Sequence, residues 1–178
     1  MNTKSSLSLQ TSQRGAALIT ALIILVALTV IGVSAFKTSN LEELIVGNLR
    51  DKQVAFQAAE SALRDAEDDI AGFAGIPTPL DDGGTKGVFT RDRFGDYSAK
   101  AYDTALWASA TPATTSLGEV KTQPVFVIEY EAFYPDDLNF ETRSKGQGRY
   151  YYRITARGVG TTPNSATLLQ ETFGKRYR

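Results

Sequence analysis

The chain has 178 residues, 42 % of them hydrophobic, a formal net charge of −1, and neither cysteine nor histidine. That length holds one main domain, and the missing residue types exclude a disulfide framework, thiolate chemistry and the usual neutral-pH base or metal ligand. The small net charge hides an uneven spread: residues 1–15 carry Lys4 and Arg14 without an acid, 37–71 carry four basic and eight acidic residues, and 143–178 carry eight basic residues against one acid, Glu171.

In chain order, the first element is apolar. From Ala16 to Phe36 there are 21 residues without a charge, bounded by Arg14 and Lys37. At about 1.5 Å per residue such a helix covers the ~30 Å hydrocarbon core of a bilayer. A secretory signal has a shorter apolar region, about 7–15 residues, before a small-x-small cleavage site. Val33-Ser34-Ala35 imitates such a site, but the length of the run favours an anchor that is kept. Lys4 and Arg14 orient it with the amino terminus in the cytoplasm and the rest of the chain exported.

The helix is expected to continue past the anchor, since no proline occurs between Ala16 and Gly75. Leu41, Ile45 and Leu49 lead into Phe56, Ala59, Leu63, Ala66 and Ile70, and the last five are spaced 3, 4, 3 and 4. That spacing predicts a helical seam, with Phe56, Leu63 and Ile70 as its large members packed under a sheet. Lys52 interrupts the seam; Gly72, Gly75, Pro77 and Pro79 end the helix. One helix from about 16 to 71 is the expectation.

The remainder reads as loop, then sheet. Residues 72–96 are rich in turn formers, and 108–118 are poor in large apolar groups and expected to be a surface connection. Tyr97 to Trp107 fits a strand or a short helix, and a strand is the expectation. Phe126, Ile128, Tyr130, Ala132 and Tyr134 then alternate with their neighbours, as do Tyr150, Tyr152, Ile154 and Ala156. A turn at 161–165 precedes a third run, Ala166 to Phe173. The fold class is α+β: a long amino-terminal helix, its first half membrane-spanning, packed on a carboxy-terminal antiparallel sheet of three to four strands.

Candidate chemistry is thin. Asp81-Asp82-Gly83-Gly84 and Asp136-Asp137 offer oxygen ligands for calcium without the alternation of an EF-hand loop. Arg149, Arg153 and Arg157 recur on one strand face among tyrosines. Such a row suits nucleic acid, but suits acids on a neighbouring strand better, and Glu129 and Glu131 are the partners expected. No catalytic constellation and no cofactor site is present in the sequence, so an enzyme is not expected.

The glycine ending a short basic leader, the apolar run that begins at once and the amphipathic helix over a sheet resemble type IV pilins and pseudopilins. QRGAALITALIILVALTVIGVSAF, followed by TSNLEELIVGNLRDKQVAFQAAESALRDAE, is similar to the start of PilX-type minor pilins over residues 13–67, and YRITARGVG with ATLLQETF resembles their last strands over about 150–173. Residues 72–147 carry no such likeness. The resemblance implies a prepilin leader peptide over 1–15, cleaved by prepilin peptidase between Gly15 and Ala16, with N-methylation of Ala16. It divides the rest into a transmembrane and filament-core helix over 16–36, an amphipathic helix over 37–71 and a periplasmic sheet domain with variable loops over 72–178. Most pilins carry glutamate at the fifth mature position, where this chain has Thr20.

The same resemblance implies a minor pilin that helps initiate type IV pilus assembly at the tip. Its partners would be other minor pilins, a PilY1-like adhesin and the major pilin, in support of twitching motility and attachment. The subunit would sit first in the inner membrane, then at the pilus tip on the cell surface. Two alternatives stand beside it: a minor pseudopilin of type II secretion, whose tip subunit usually carries a large extra domain, and an adhesive or DNA-binding minor pilin using the basic row.

Overall fold

A computed structural model describes residues 14–93, 95 and 100–177. The chain divides into two compact units, Met1–Val46 and Gly47–Arg178. One helix, α1, runs from Arg14 to Gly72. It is long and apolar enough to cross a membrane by length and composition. In the first unit its large apolar side chains, from Leu18 to Val46, are exposed on all sides. A helix of this kind is satisfied by lipid tails or by other such helices. Gly72 and Gly75 terminate α1, the latter followed closely by Pro77 and Pro79.

The second unit is a five-stranded sheet with the end of α1 on one face. Its strands are β1 (Val88–Phe89), β2 (Thr111–Pro112), β3 (Val125–Pro135), β4 (Gly148–Val159) and β5 (Ala166–Tyr177). The order is β1-β3-β4-β5, with β2 also paired to β3. β3, β4 and β5 form the expected antiparallel meander, whereas β1 lies parallel to β3. The two-residue strands β1 and β2 fall within segments expected to be loop, because too few residues pair there to leave a periodic signal.

Alternation along β3 and β4 sorts side chains onto two faces. Phe126, Ile128, Tyr150, Tyr152, Ile154 and Ala156 meet Ala62, Leu63, Ala66 and Ile70 of α1 in the main core. A register shift between Tyr130 and Ala132 then breaks the expected alternation. A bulge inserts one residue and exchanges the faces beyond it. Phe133 therefore packs on the core, 4.5 Å from Tyr150 between ring centroids, while Tyr134 stands exposed against Tyr151 at 5.5 Å.

On the opposite face, Phe89, Trp107 and Val127 form a smaller cluster. Here the expected strand over Tyr97 to Trp107 is corrected; residues 97–99 lie outside the described residues. Asp103 caps a short helix, α2 (Thr104–Trp107), accepting from the Ala105 and Leu106 amides at 3.1 and 3.3 Å. A capping aspartate satisfies exposed helical amides and starts a helix where the apolar pattern alone reads as strand. Its product is the placement of Trp107 and Leu106 on the sheet.

Candidate functional site

Gly15 and Ala16 lie in the first turn of α1; residues 1–13 of the expected leader lie outside the described residues. The Thr20 hydroxyl donates to Ala16 and Ala17 carbonyl oxygens at 3.2 and 3.0 Å. Its polar group is closed within the helix, as a threonine in an apolar helix requires. Position 20 therefore presents a methyl group and no charge.

In the second unit, the face of α1 that meets the sheet is built of alanines. Ala55, Ala58, Ala59, Ala62 and Ala66 are fully buried, and small side chains let the helix backbone approach the strands. At Gly158 in β4 a Cβ would overlap Ala55 O and Ala59 N, so glycine is required there. Leu63 and Ile70 lie in the core beside this strip. Phe56, expected under the sheet, is 47 % exposed. The expectation is corrected because alanines hold the centre of the contact and Phe56 falls on its flank. The bulk of the core comes instead from aromatic rings of the sheet.

Polar groups fasten both ends of that contact. Asp51, nearly buried, accepts from the Thr161 amide at 2.6 Å, the Thr161 hydroxyl at 2.7 Å and the Thr162 hydroxyl. These bonds, the Thr162 hydroxyl first, hold its carboxyl below the usual range. Lys52 donates to the Ala166 carbonyl. At the other end the Lys175 ammonium, on β5, donates to the carbonyls of Ile70, Ala71 and Phe73 at 2.8, 2.7 and 2.7 Å. Ile70 and Ala71 are in the last turn of α1 and Phe73 follows it, with the Ile70 carbonyl also accepting from the Phe73 amide at 3.1 Å; a cation there meets the negative end of the macrodipole. None of these roles was legible in the apolar spacing. The signals available were a Gly-x-Gly at the end of β4 and the small-residue repeat in α1.

The three arginines of the expected basic surface are not equivalent. Arg153 bonds Asp92 at 2.7 Å and Glu131, and stands 4.0 Å from buried Glu129. Arg157 donates to Ala101 O at 2.6 Å and lies over the Trp107 ring, 5.9 Å from its centroid. Arg149 stands exposed. The row is therefore not a continuous basic surface. Three of the four candidate calcium-ligand aspartates are also engaged locally: Asp81 accepts from the Thr90 hydroxyl, Asp82 from the Gly84 amide at 3.1 Å, and Asp136 pairs with Arg176 at 2.7 Å.

The structure thus brings together no reacting groups from the candidate residues. What it builds is an exposed apolar helix and a small domain clamped to the end of the same helix. Residues 14–64 match the family model PilX N-terminal, and residues 73–175 match Type IV pilus assembly protein PilX C-term. The second match covers the middle of the chain, where the residues alone carry no likeness. No curated protein and no solved structure matches significantly.

Proposed function

The chain belongs to the PilX family and is a minor pilin of the type IV pilus, and on that footing we propose that it helps to initiate pilus assembly from a place at or near the tip. The observation that carries the proposal is Thr20, whose hydroxyl is closed onto its own helix. An arriving pilin uses an acid at that position to attract the amino terminus of the subunit already in place. In a low-dielectric membrane such an attraction is strong enough to guide docking. A subunit without the acid gains nothing by docking beneath another. Cleaved between Gly15 and Ala16, it still offers the Ala16 amine to the next arrival. This asymmetry suits a subunit that enters first.

In this reading the leader is removed by prepilin peptidase, Ala16 is N-methylated, and the apolar helix anchors the subunit in the inner membrane before passing into the filament. The partners are other minor pilins and a PilY1-like adhesin, and the output is twitching motility and attachment without catalysis. The DNA-binding alternative gains no support, because Arg153 and Arg157 are engaged within the domain. Immunogold labelling tests the placement. Label is expected at filament tips, and Thr20→Glu is expected to move some of it into the shaft. Wild-type label spread along the shaft overturns the tip reading, and a distribution unchanged by the substitution assigns the positioning to the globular domain.

A further inference from the structure

The last strand is an open edge. β5 ends the strand order, and its 12 residues pair only with β4 among the described residues. An unpaired edge is a template for another strand, and folded proteins commonly block it with an inward-pointing charge. Glu171 is such a charge. On the helix side of β5 it sits between Leu169 and Phe173, both partly buried against the core.

α1 runs beside this strand. Lys52 reaches Ala166 at one end, Lys175 reaches Ile70, Ala71 and Phe73 at the other, and Glu67 lies close to Glu171 between them. The same flank of α1 carries exposed Phe56 in a groove of about 450 Å³ shared with Leu49 and Gln53. Two carboxyl groups therefore face each other at the edge. Arg64, whose charge reaches Glu171, is itself bonded to Glu60 at 2.9 Å.

We propose that the β5 edge and the adjoining flank of α1 form a docking site for an extended segment of a different chain, reading apolar–any–basic–any–apolar, which joins the sheet as a further strand. The two apolar side chains would lie over Leu169 and Phe173, and the basic one would meet the Glu67–Glu171 pair. Backbone pairing supplies attachment and the alternate side chains supply choice. Glu171 then selects as well as blocks: an all-apolar strand would bury its charge, whereas a matching cation relieves the pair. Burial and the neighbouring Glu67 already raise the proton affinity of Glu171, the condition that a cation reverses.

A second copy of this chain fits less well, although β5 itself reads Phe173-x-Lys175-x-Tyr177. Antiparallel self-pairing centred on Phe173 would set Lys175 against the other copy's Glu171. That lysine is already bonded to three carbonyls at the end of α1, so self-pairing would uncap the helix.

The test uses the full-length chain in detergent micelles and a labelled peptide, Thr-Val-Thr-Arg-Thr-Val-Thr. Its controls carry glutamine for arginine or N-methyl groups on alternate amides. The arginine peptide is expected to bind about fivefold more tightly than the glutamine peptide. It should slow hydrogen exchange in Ala166–Tyr177 and not in β3, and the N-methylated peptide should not bind. Glu171→Gln and, separately, Glu67→Gln should each abolish the preference for arginine. Equal binding of the two peptides, or exchange unchanged in β5, overturns the proposal. So does a disulfide-linked dimer formed when Thr172→Cys and Gly174→Cys, which self-pairing centred on Phe173 sets opposite each other, are combined in this cysteine-free chain. None of these failures touches the pilus assignment, which rests on the family, or the tip placement, which rests on Thr20.

Discussion

Glu171 and Asp51 are both acids at the contact between α1 and the strands, and their surroundings drive them in opposite directions. Burial, then neighbouring Glu67 and its charge, pushes Glu171 up to about 7 from 4.5. Below 4.5 the folded and unfolded chains both hold that proton; between 4.5 and about 7 the folded chain keeps it and the unfolded chain releases it. Stability from this group therefore falls as pH rises through that window. Thermal melts of the wild-type chain should decline across it, and Glu171→Gln should flatten the decline. An unchanged slope in the variant would show that the pair does not form. Asp51 has the opposite sign. Its carboxylate is held down by threonine hydroxyls and amides, so its contribution is present above the usual carboxylate pKa and lost as pH falls through the lower folded value. Asp51→Asn should weaken the fold at neutral pH and remove that part of the acid sensitivity, read from the same melts.

At the scale of elements, the joint between helix and sheet depends on what is small. The alanines of α1 and Gly158 of β4 bring two backbones together, and rings from the sheet fill the space beside them. Ile70→Ala, at a fully buried position, should cost about 2–5 kcal/mol. Phe56→Ala, at a half-exposed one, should cost about 1 kcal/mol. Gly158→Ala, whose Cβ would fall 2.2 Å from the Ala55 carbonyl oxygen and 2.3 Å from the Ala59 amide nitrogen, should cost at least the ~1–3 kcal/mol of ordinary overpacking, because two backbones must part. Chemical denaturation of the three variants checks the order. A Phe56 effect as large as that of Ile70 would mean that the ring lies in the core. Against a total of about 5–15 kcal/mol, the cost at Ile70 or Gly158 is a large fraction of the domain's stability.

At the scale of the molecule, the two units carry separate tasks. The first exposes apolar side chains over its described residues and has no core of its own, so its surroundings must be lipid or protein. The second has a core on each face of its sheet and polar clamps. On the proposed processing, intact-mass analysis of membrane-extracted protein should show loss of residues 1–15 and gain of one methyl group. A mature terminus at Phe36 would mean ordinary secretion and would separate the domain from its anchor.

Much of this was legible in the residues alone. The uncharged run from Ala16 to Phe36, the absence of proline before Gly75, and two alternating segments near the carboxy terminus determined a long helix and an antiparallel meander. These are local signals, because helix and strand periods are written along the chain. The likeness of residues 13–67 to PilX-type pilins was equally local. Which side of α1 meets the sheet was legible as well, at Ala59, Leu63, Ala66 and Ile70; that Phe56 falls on the flank of the contact was not, since its spacing alone placed it in the same seam. The face exchange beyond Tyr130, the helix begun by Asp103, the clamps at Asp51 and Lys175 and the meeting of Glu67 with Glu171 each join residues to partners that local periodicity does not identify. Only the tertiary structure decided them, because a hydrogen bond or a close approach depends on where distant segments come to rest.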